Sequence, residues 1–202
     1  MAAITADQVK QLRDKTGAGI MECKAALSEA NGLVEEAVTI LRKRGLAQAA
    51  KRAGRATAQG LVGSYLHMGG RMGVLVELNC ESDFVARTDA FQHLVREVAM
   101  HIAAADPKWV RREDVPPEAI EKEKGIYRAQ MEHSGKPAHV LDKIVEGKLG
   151  SFYSQFVLLD QPSIRDPNVT VAQLVAETSA KTGENITIGR FTRYRVGEGT
   201  DL

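Results

Sequence analysis

Cysteine is scarce in this chain: 202 residues contain two, Cys23 and Cys80. So few give no disulfide framework. Cys23 falls in the apolar series Ile20, Cys23, Leu27 of an expected helix, and Cys80 shares strand parity with Met72, Val74, Val76 and Leu78. Both are therefore expected in the core, and neither as a nucleophile. Net charge is almost absent, +1 at neutral pH, so no global field recruits nucleic acid or an anionic membrane. No apolar run approaches the ~20 residues a membrane span needs. The opening Met1-Ala2-Ala3-Ile4-Thr5-Ala6-Asp7 lacks the basic and apolar regions of a signal peptide. A cytoplasmic protein is expected.

Motifs for small-molecule chemistry are missing as well. Neither a Gly-x-x-x-x-Gly-Lys-Ser/Thr loop nor a Gly-x-Gly-x-x-Gly fingerprint occurs, so no nucleotide is expected on the chain itself. His93 and His101 lie eight apart on one expected helix, too far to share a metal as neighbours one turn apart would. His67, His133 and His139 have no Cys or His at zinc spacing. Surface histidines, no metal and no cofactor are the expectation. No Ser-His-Asp or Cys-His constellation is visible, which argues against an enzyme.

With 44% hydrophobic and 26% charged residues, the chain fits one or two ordinary domains with a real core. Residues 1–55 read as three short helices. Thr5 and Gln8 form a capping box for the first, and Thr16-Gly17-Ala18-Gly19 breaks the chain. The second runs from Ile20 to about Ala30 and stops at Asn31-Gly32. The third carries Val34, Ala37, Val38 and Leu41 and is expected to end near Gly45. Residues 42–55, with Arg42-Lys43-Arg44, Lys51-Arg52 and Arg55, form a basic connector: a phosphate-touching surface or a solvated linker helix.

From Gly60 the period becomes two. Leu61–Met68 and Met72–Cys80 flank Gly69-Gly70, a hairpin signal. A helix with Phe91, Leu94, Val95, Val98 and Ile102 on one stripe follows, stopping before Asp106-Pro107. Two more helices, one opened by Pro116-Pro117 and one carrying Leu141 through Phe156, are separated by Ser134-Gly135-Lys136-Pro137 and imply an antiparallel helical hairpin. Thr170 and Gln173 cap a last helix, and Ile186–Val196 is a final strand, at an edge or bulged near Gly189. The fold class is α+β: a helical module at 1–55, then a core at 56–202 with a three-stranded antiparallel sheet.

The most informative stretch is Asn79-Cys80-Glu81-Ser82-Asp83-Phe84-Val85-Ala86-Arg87, between the second strand and a helix starting near Thr88. Phe84 sits outside both apolar patterns. It either anchors a protein partner from a rigid corner or plugs the layer between sheet and helix.

Leu12-Arg13-Asp14-Lys15-Thr16-Gly17-Ala18-Gly19-Ile20-Met21-Glu22-Cys23-Lys24-Ala25-Ala26-Leu27 resembles the N-terminal signature of bacterial elongation factor Ts, and Asn79–Arg87 resembles its core signature. Similarity continues through Ser134–Pro137, Glu146-Gly147-Lys148 and Gly183-Glu184-Asn185-Ile186. The resemblance implies a guanine-nucleotide exchange factor for elongation factor Tu, the GTPase that delivers aminoacyl-tRNA. It implies that 1–55 is a ubiquitin-associated-like module docking on that GTPase. Ser82, Asp83, Phe84 and Val85 would perturb the region that holds magnesium on the partner, with Asp83 and Phe84 as the intruding pair. Arg13, Ile20, Met21 and Lys24 would form the N-terminal contact surface, joined by His67 at the end of the first core strand.

Ser82 stands where the family usually has Thr, a change that keeps the local hydroxyl bond. Ile20 replaces a frequent Met. Longer members carry two copies of the core unit and this chain has one, which leaves a sheet face or edge for a two-fold partner. A homodimer is the expectation, with no direct nucleic-acid or membrane partner.

Overall fold

The computed structural model describes residues 4–131 and 137–198. The expected break at Ser134-Gly135-Lys136 and His133 lie outside them. In chain order come helices α1 (Ala6–Thr16), α2 (Ile20–Glu29) and α3 (Val34–Arg52), strands β1 (Gln59–His67) and β2 (Met72–Cys80), a single turn α4 (Asp83–Ala86), α5 (Asp89–Ala105), α6 (Pro117–Ala129), α7 (Ala138–Phe156), α8 (Val171–Thr182) and strand β3 (Ile186–Arg195). The fold is α+β, with a three-stranded antiparallel sheet in the order β1-β2-β3. Two compact units result. One comprises Met1–Leu61, Leu78–Leu94 and Gln173–Thr187, the other Val62–Glu77, Val95–Ala172 and Ile188–Leu202.

In the first unit the capping box forms as its residue types require. The Gln8 amide donates to Thr5 Oγ1 at 3.2 Å, and the Thr5 amide donates to Gln8 Oε1 at 3.0 Å. Gly17, at φ 69°, ends α1 in the left-handed conformation that glycine adopts without strain. Leu12, Cys23, Ala26, Leu27, Ala30 and Ala37 make the buried cluster of α1–α3, with Val9, Val34, Val38 and Leu41 packed against it. Cys23 is core, as its spacing predicts. Ile20 is not: at the first position of α2 it is 56% exposed.

The expected end of α3 near Gly45 is wrong, because the helix continues to Arg52. Gly45 serves close approach rather than termination. A Cβ there would lie 3.2 Å from the Ala180 Cβ of α8, and the residues after it, Leu46-Ala47-Gln48-Ala49-Ala50-Lys51, are strong helix formers. The basic connector is thus mostly the end of α3, and its arginines have partners. Arg42 pairs with Glu177 at 2.9 Å, Arg44 pairs with Glu29 at 2.5 Å, and Arg52 donates to the Ser179 carbonyl at 3.3 Å.

Strand β2 alternates as its sequence demands, burying Val74, Val76, Leu78 and Cys80. The stripe Phe91, Leu94, Val95, Val98 and Ile102 on α5 is buried throughout. Within the second unit, a Cβ on Gly63 would run into Val95 Cγ1 at 2.1 Å, so β1 lies close under α5 at that point. Val62 and Leu66, of opposite parity, therefore face the other side of the sheet, where a Cβ on Gly73 would touch Leu66 Cδ2 at 3.2 Å. On β3 the inward parity is even at Ile188 and odd at Arg193, whose side chain donates to the Ala103 carbonyl. Strand β3 lies at an edge of the sheet, one of the two arrangements its mixed faces predict.

The second unit also contains the expected helical hairpin. Helices α6 and α7 pack together, and Lys148 donates to Gln130 Oε1 at 2.7 Å. Val115, Phe152 and Val157 form a buried cluster with Trp109, Ile120, Tyr153 and Phe156 around it. One expected surface histidine is corrected here. His101 is buried, its Nε2 2.9 Å from Gln161 Oε1, while its Nδ1 accepts from the Ile164 amide. Gln161 in turn donates to the Ala105 and Gln155 carbonyls. Desolvation holds the imidazole pKa below its ordinary value. The eight-residue spacing to His93 said nothing of this, since Gln161 lies 60 residues away.

Candidate functional site

Strand β2 delivers the chain to Ser82, whose extended backbone makes it the N-cap of α4. Its hydroxyl accepts from the Val85 amide at 3.4 Å. Helix α4 is one turn long, so the expected helix start near Thr88 is preceded by a separate turn. Thr88 then begins α5, donating to the Val85 carbonyl at 2.8 Å and accepting from the Phe91 amide at 3.3 Å. Two caps six positions apart fix the corner. Val85 and Ala86 point inward and are buried, which leaves Phe84 pointing out at 78% exposure. The reading of Phe84 as a core plug is thereby excluded.

Asp83 lies beside it on the surface, its carboxylate accepting from Arg87 at 2.7 Å. This is an i,i+4 pair in solvent, worth a few tenths of a kcal/mol at most. Its partner is therefore easily exchanged for another. Cys80 is buried below the corner with Sγ 3.1 Å from the Ser82 carbonyl. Burial raises the pKa of this thiol and of Cys23, so both stay protonated and inert near neutral pH.

Three residues that the sequence reading did not single out hold the corner from behind. Glu184, in the turn between α8 and β3, accepts from the Glu81 amide at 3.1 Å, the Ser82 amide at 3.0 Å and the Ser82 hydroxyl. Glu81 accepts from the Asn185 amide at 2.6 Å and from Arg55 at 3.4 Å. The Asn185 side chain donates to the Arg55 carbonyl at 2.8 Å and the Ala53 carbonyl at 3.4 Å. In the sequence Glu184 and Asn185 stood out only as part of a stretch that resembles the family. Their hydrogen-bond partners lie a hundred residues or more earlier in the chain.

The N-terminal candidates occupy the α1–α2 corner of the same unit. Met21 is 76% exposed, and Arg13, Ile20 and Lys24 are exposed with it. Two apolar side chains in solvent at a helix start, flanked by cations, are unusual enough to mark a contact surface. His67, by contrast, belongs to the second unit. It is exposed at the end of β1, stacked on Tyr65 with ring centroids 5.8 Å apart and Nδ1 2.9 Å from the Tyr65 hydroxyl. Among the described residues no group of three His, Cys, Asp or Glu side chains is arranged to hold a metal ion, and no helix is long and apolar enough to cross a membrane.

The sequence model of the family described as Elongation factor TS matches residues 2–198. Similar curated proteins include the elongation factor Ts of Solibacter usitatus, 58% identical over 198 residues, covering 98% of this chain and 93% of that protein. The elongation factor Ts of Fervidobacterium nodosum is 58% identical over 195 residues, covering 96% of this chain and 99% of that protein. That of Thermosipho melanesiensis is 56% identical over 195 residues, covering 96% and 100%. At this identity and coverage, the chain belongs to the elongation factor Ts family of translation elongation factors.

Proposed function

We propose that this protein is the guanine-nucleotide exchange factor of elongation factor Tu in the cytoplasm, acting by shape and charge and making no bond. The exposed Phe84 on a doubly capped corner is the observation that carries this reading. A G protein with nanomolar affinity holds GDP by about 12 kcal/mol, so unaided release is slow. Much of that hold comes from phosphate-loop amides and from a magnesium ion bridging phosphate to a hydroxyl. Phe84, driven between helices of the partner, displaces one of them and misplaces the groups that support the metal. Asp83 exchanges Arg87 for a group of the partner in the same region. Ser82 and Val85 hold the pair in position from the rigid side. Weaker metal and phosphate contacts release the diphosphate, and by linkage the incoming nucleotide weakens the factor equally and expels it.

In this reading residues 1–55 are the docking module, with Arg13, Ile20, Met21 and Lys24 on its contact surface and His67 a further contact. Residues 56–202 form the core that carries the corner and pairs with a second copy. The paired state of Arg42, Arg44 and Arg52 argues against a nucleic-acid adaptor built on the connector. Stopped-flow release of fluorescent GDP from purified elongation factor Tu tests the proposal. Acceleration at substoichiometric factor is expected, and unaccelerated release would refute it.

A further inference from the structure

We infer that Glu184 is a positioning residue for the exchange corner, and that it sets the rate of the nucleotide-release step rather than the strength of docking. The inference rests on the proposed exchange reading and adds a residue that touches no partner in it. Its basis is the concentration of bonds on one carboxylate. Glu184 Oε2 takes both the Glu81 and the Ser82 amides, and Oε1 takes the Ser82 hydroxyl. Those two amides belong to the last residues before α4, where β2 has ended and α4 has not begun. No strand or helix partner is available to them, so the carboxylate replaces a missing ladder. The hydroxyl it binds also caps α4 at the Val85 amide. Glu184 therefore orients the group that orients the turn bearing Phe84.

The neighbouring bonds make this a bracket rather than a single strut. Glu81 holds the Asn185 amide, and the Asn185 side chain holds the carbonyls of Ala53 and Arg55, just past the end of α3. A charge-assisted bond is about twice as strong as a neutral one, and this corner is clamped by two carboxylates. The chemical demand on Phe84 explains why stiffness matters. A wedge that yields on contact loses its force on the neighbouring helix, whereas a stiff one transfers it. Docking through Met21 and Ile20 makes no such demand.

The test is GDP release from elongation factor Tu, followed over a range of factor concentration. For Glu184→Ala the maximal release rate is expected to fall about tenfold, with the half-saturating concentration changed less than about threefold. Glu184→Gln is the rescue variant. Its Oε1 accepts both amides and its NH2 donates to the Ser82 hydroxyl oxygen, so the maximal rate should recover to within about threefold of wild type. Amide hydrogen exchange at Glu81 and Ser82 should accelerate in the alanine variant and stay slow in the glutamine variant.

Wild-type maximal release by Glu184→Ala, or a loss confined to half-saturation, would overturn the inference. If Glu184→Ala melts too low to assay, Glu184→Asp takes its place. Its shorter side chain keeps the charge and gives up reach, and a wild-type maximal rate with faster amide exchange at Glu81 and Ser82 overturns the inference equally. Phe84→Ala separates the two readings. Normal release by Phe84→Ala sinks the exchange proposal itself, whereas slow release by Phe84→Ala with normal release by Glu184→Ala sinks the positioning role alone.

Discussion

At the scale of a residue, the decisive contrast is between Phe84 and Phe91, seven positions apart and opposite in environment. Phe91 is fully buried, whereas Phe84 is 78% exposed. Truncating an exposed ring leaves no cavity, so Phe84→Ala should change unfolding free energy by no more than about 0.5 kcal/mol. The release of GDP from the partner should nonetheless slow at least tenfold, the usual consequence of deleting an interface anchor, which is worth about 2 kcal/mol or more. Thermal melts beside stopped-flow release check both halves, and a large melting shift would return Phe84 to the core. His101 gives a second prediction. Unfolded, it takes a proton at the ordinary histidine pKa; folded, desolvation keeps it neutral to lower pH. The unfolded state therefore binds more protons in between, and stability falls as pH drops from about 6.5 through the folded value, then levels off. The urea midpoint should decline as the pH drops below about 6.5, and His101→Gln should flatten that decline.

At the scale of an element, glycine reads differently according to what lies beside it. Gly60, at φ 152°, has the Leu78 carbonyl oxygen only 2.1 Å from where a Cβ would sit. Backbone of the adjoining strand cannot move aside as a side chain could. Gly60→Ala should therefore cost several kcal/mol, on the order of 3, seen as a lowered urea midpoint with wild-type slope. Gly45 and Gly60 look alike in sequence, and only the packed neighbour says that one admits a helix and the other forbids a side chain. The same limit governs what else was legible. The parity of Met72–Cys80, the stripe from Phe91 to Ile102 and the Thr5–Gln8 cap are local patterns, and each forms as read. The extension of α3, the isolated turn α4, the burial of His101 and the support from Glu184 each depend on a partner far along the chain. The corner was legible as residues, and its rigidity was not, because rigidity comes from the turn at Glu184-Asn185.

At the scale of the whole molecule, the question is what covers the sheet. Within the second unit, Val62, Leu66, Leu75 and Tyr194 are all exposed, Leu66 and Tyr194 each at 73%. Val62 and Leu66 share the face turned away from Val95, and Leu75 has the parity opposite to the buried Val74 and Val76. Large apolar side chains gathered on one face of a sheet mark an interaction surface more often than chance exposure. In the proposed dimer a second copy would supply an identical face, and a two-fold axis would let each patch cover the other. In solution the wild-type protein should sediment at twice the 22.0 kDa of one chain. Its melting temperature should rise with concentration, as mass action requires of a folded dimer. Leu66→Asp with Leu75→Asp puts four unpaired carboxylates into the joint face, each costly to bury. That pair of changes should give a monomer of unchanged helical content and concentration-independent melting. A wild-type chain that sediments as a monomer at micromolar concentration would leave the apolar face without this partner, while the exchange corner, built in the other unit, would stand unaffected.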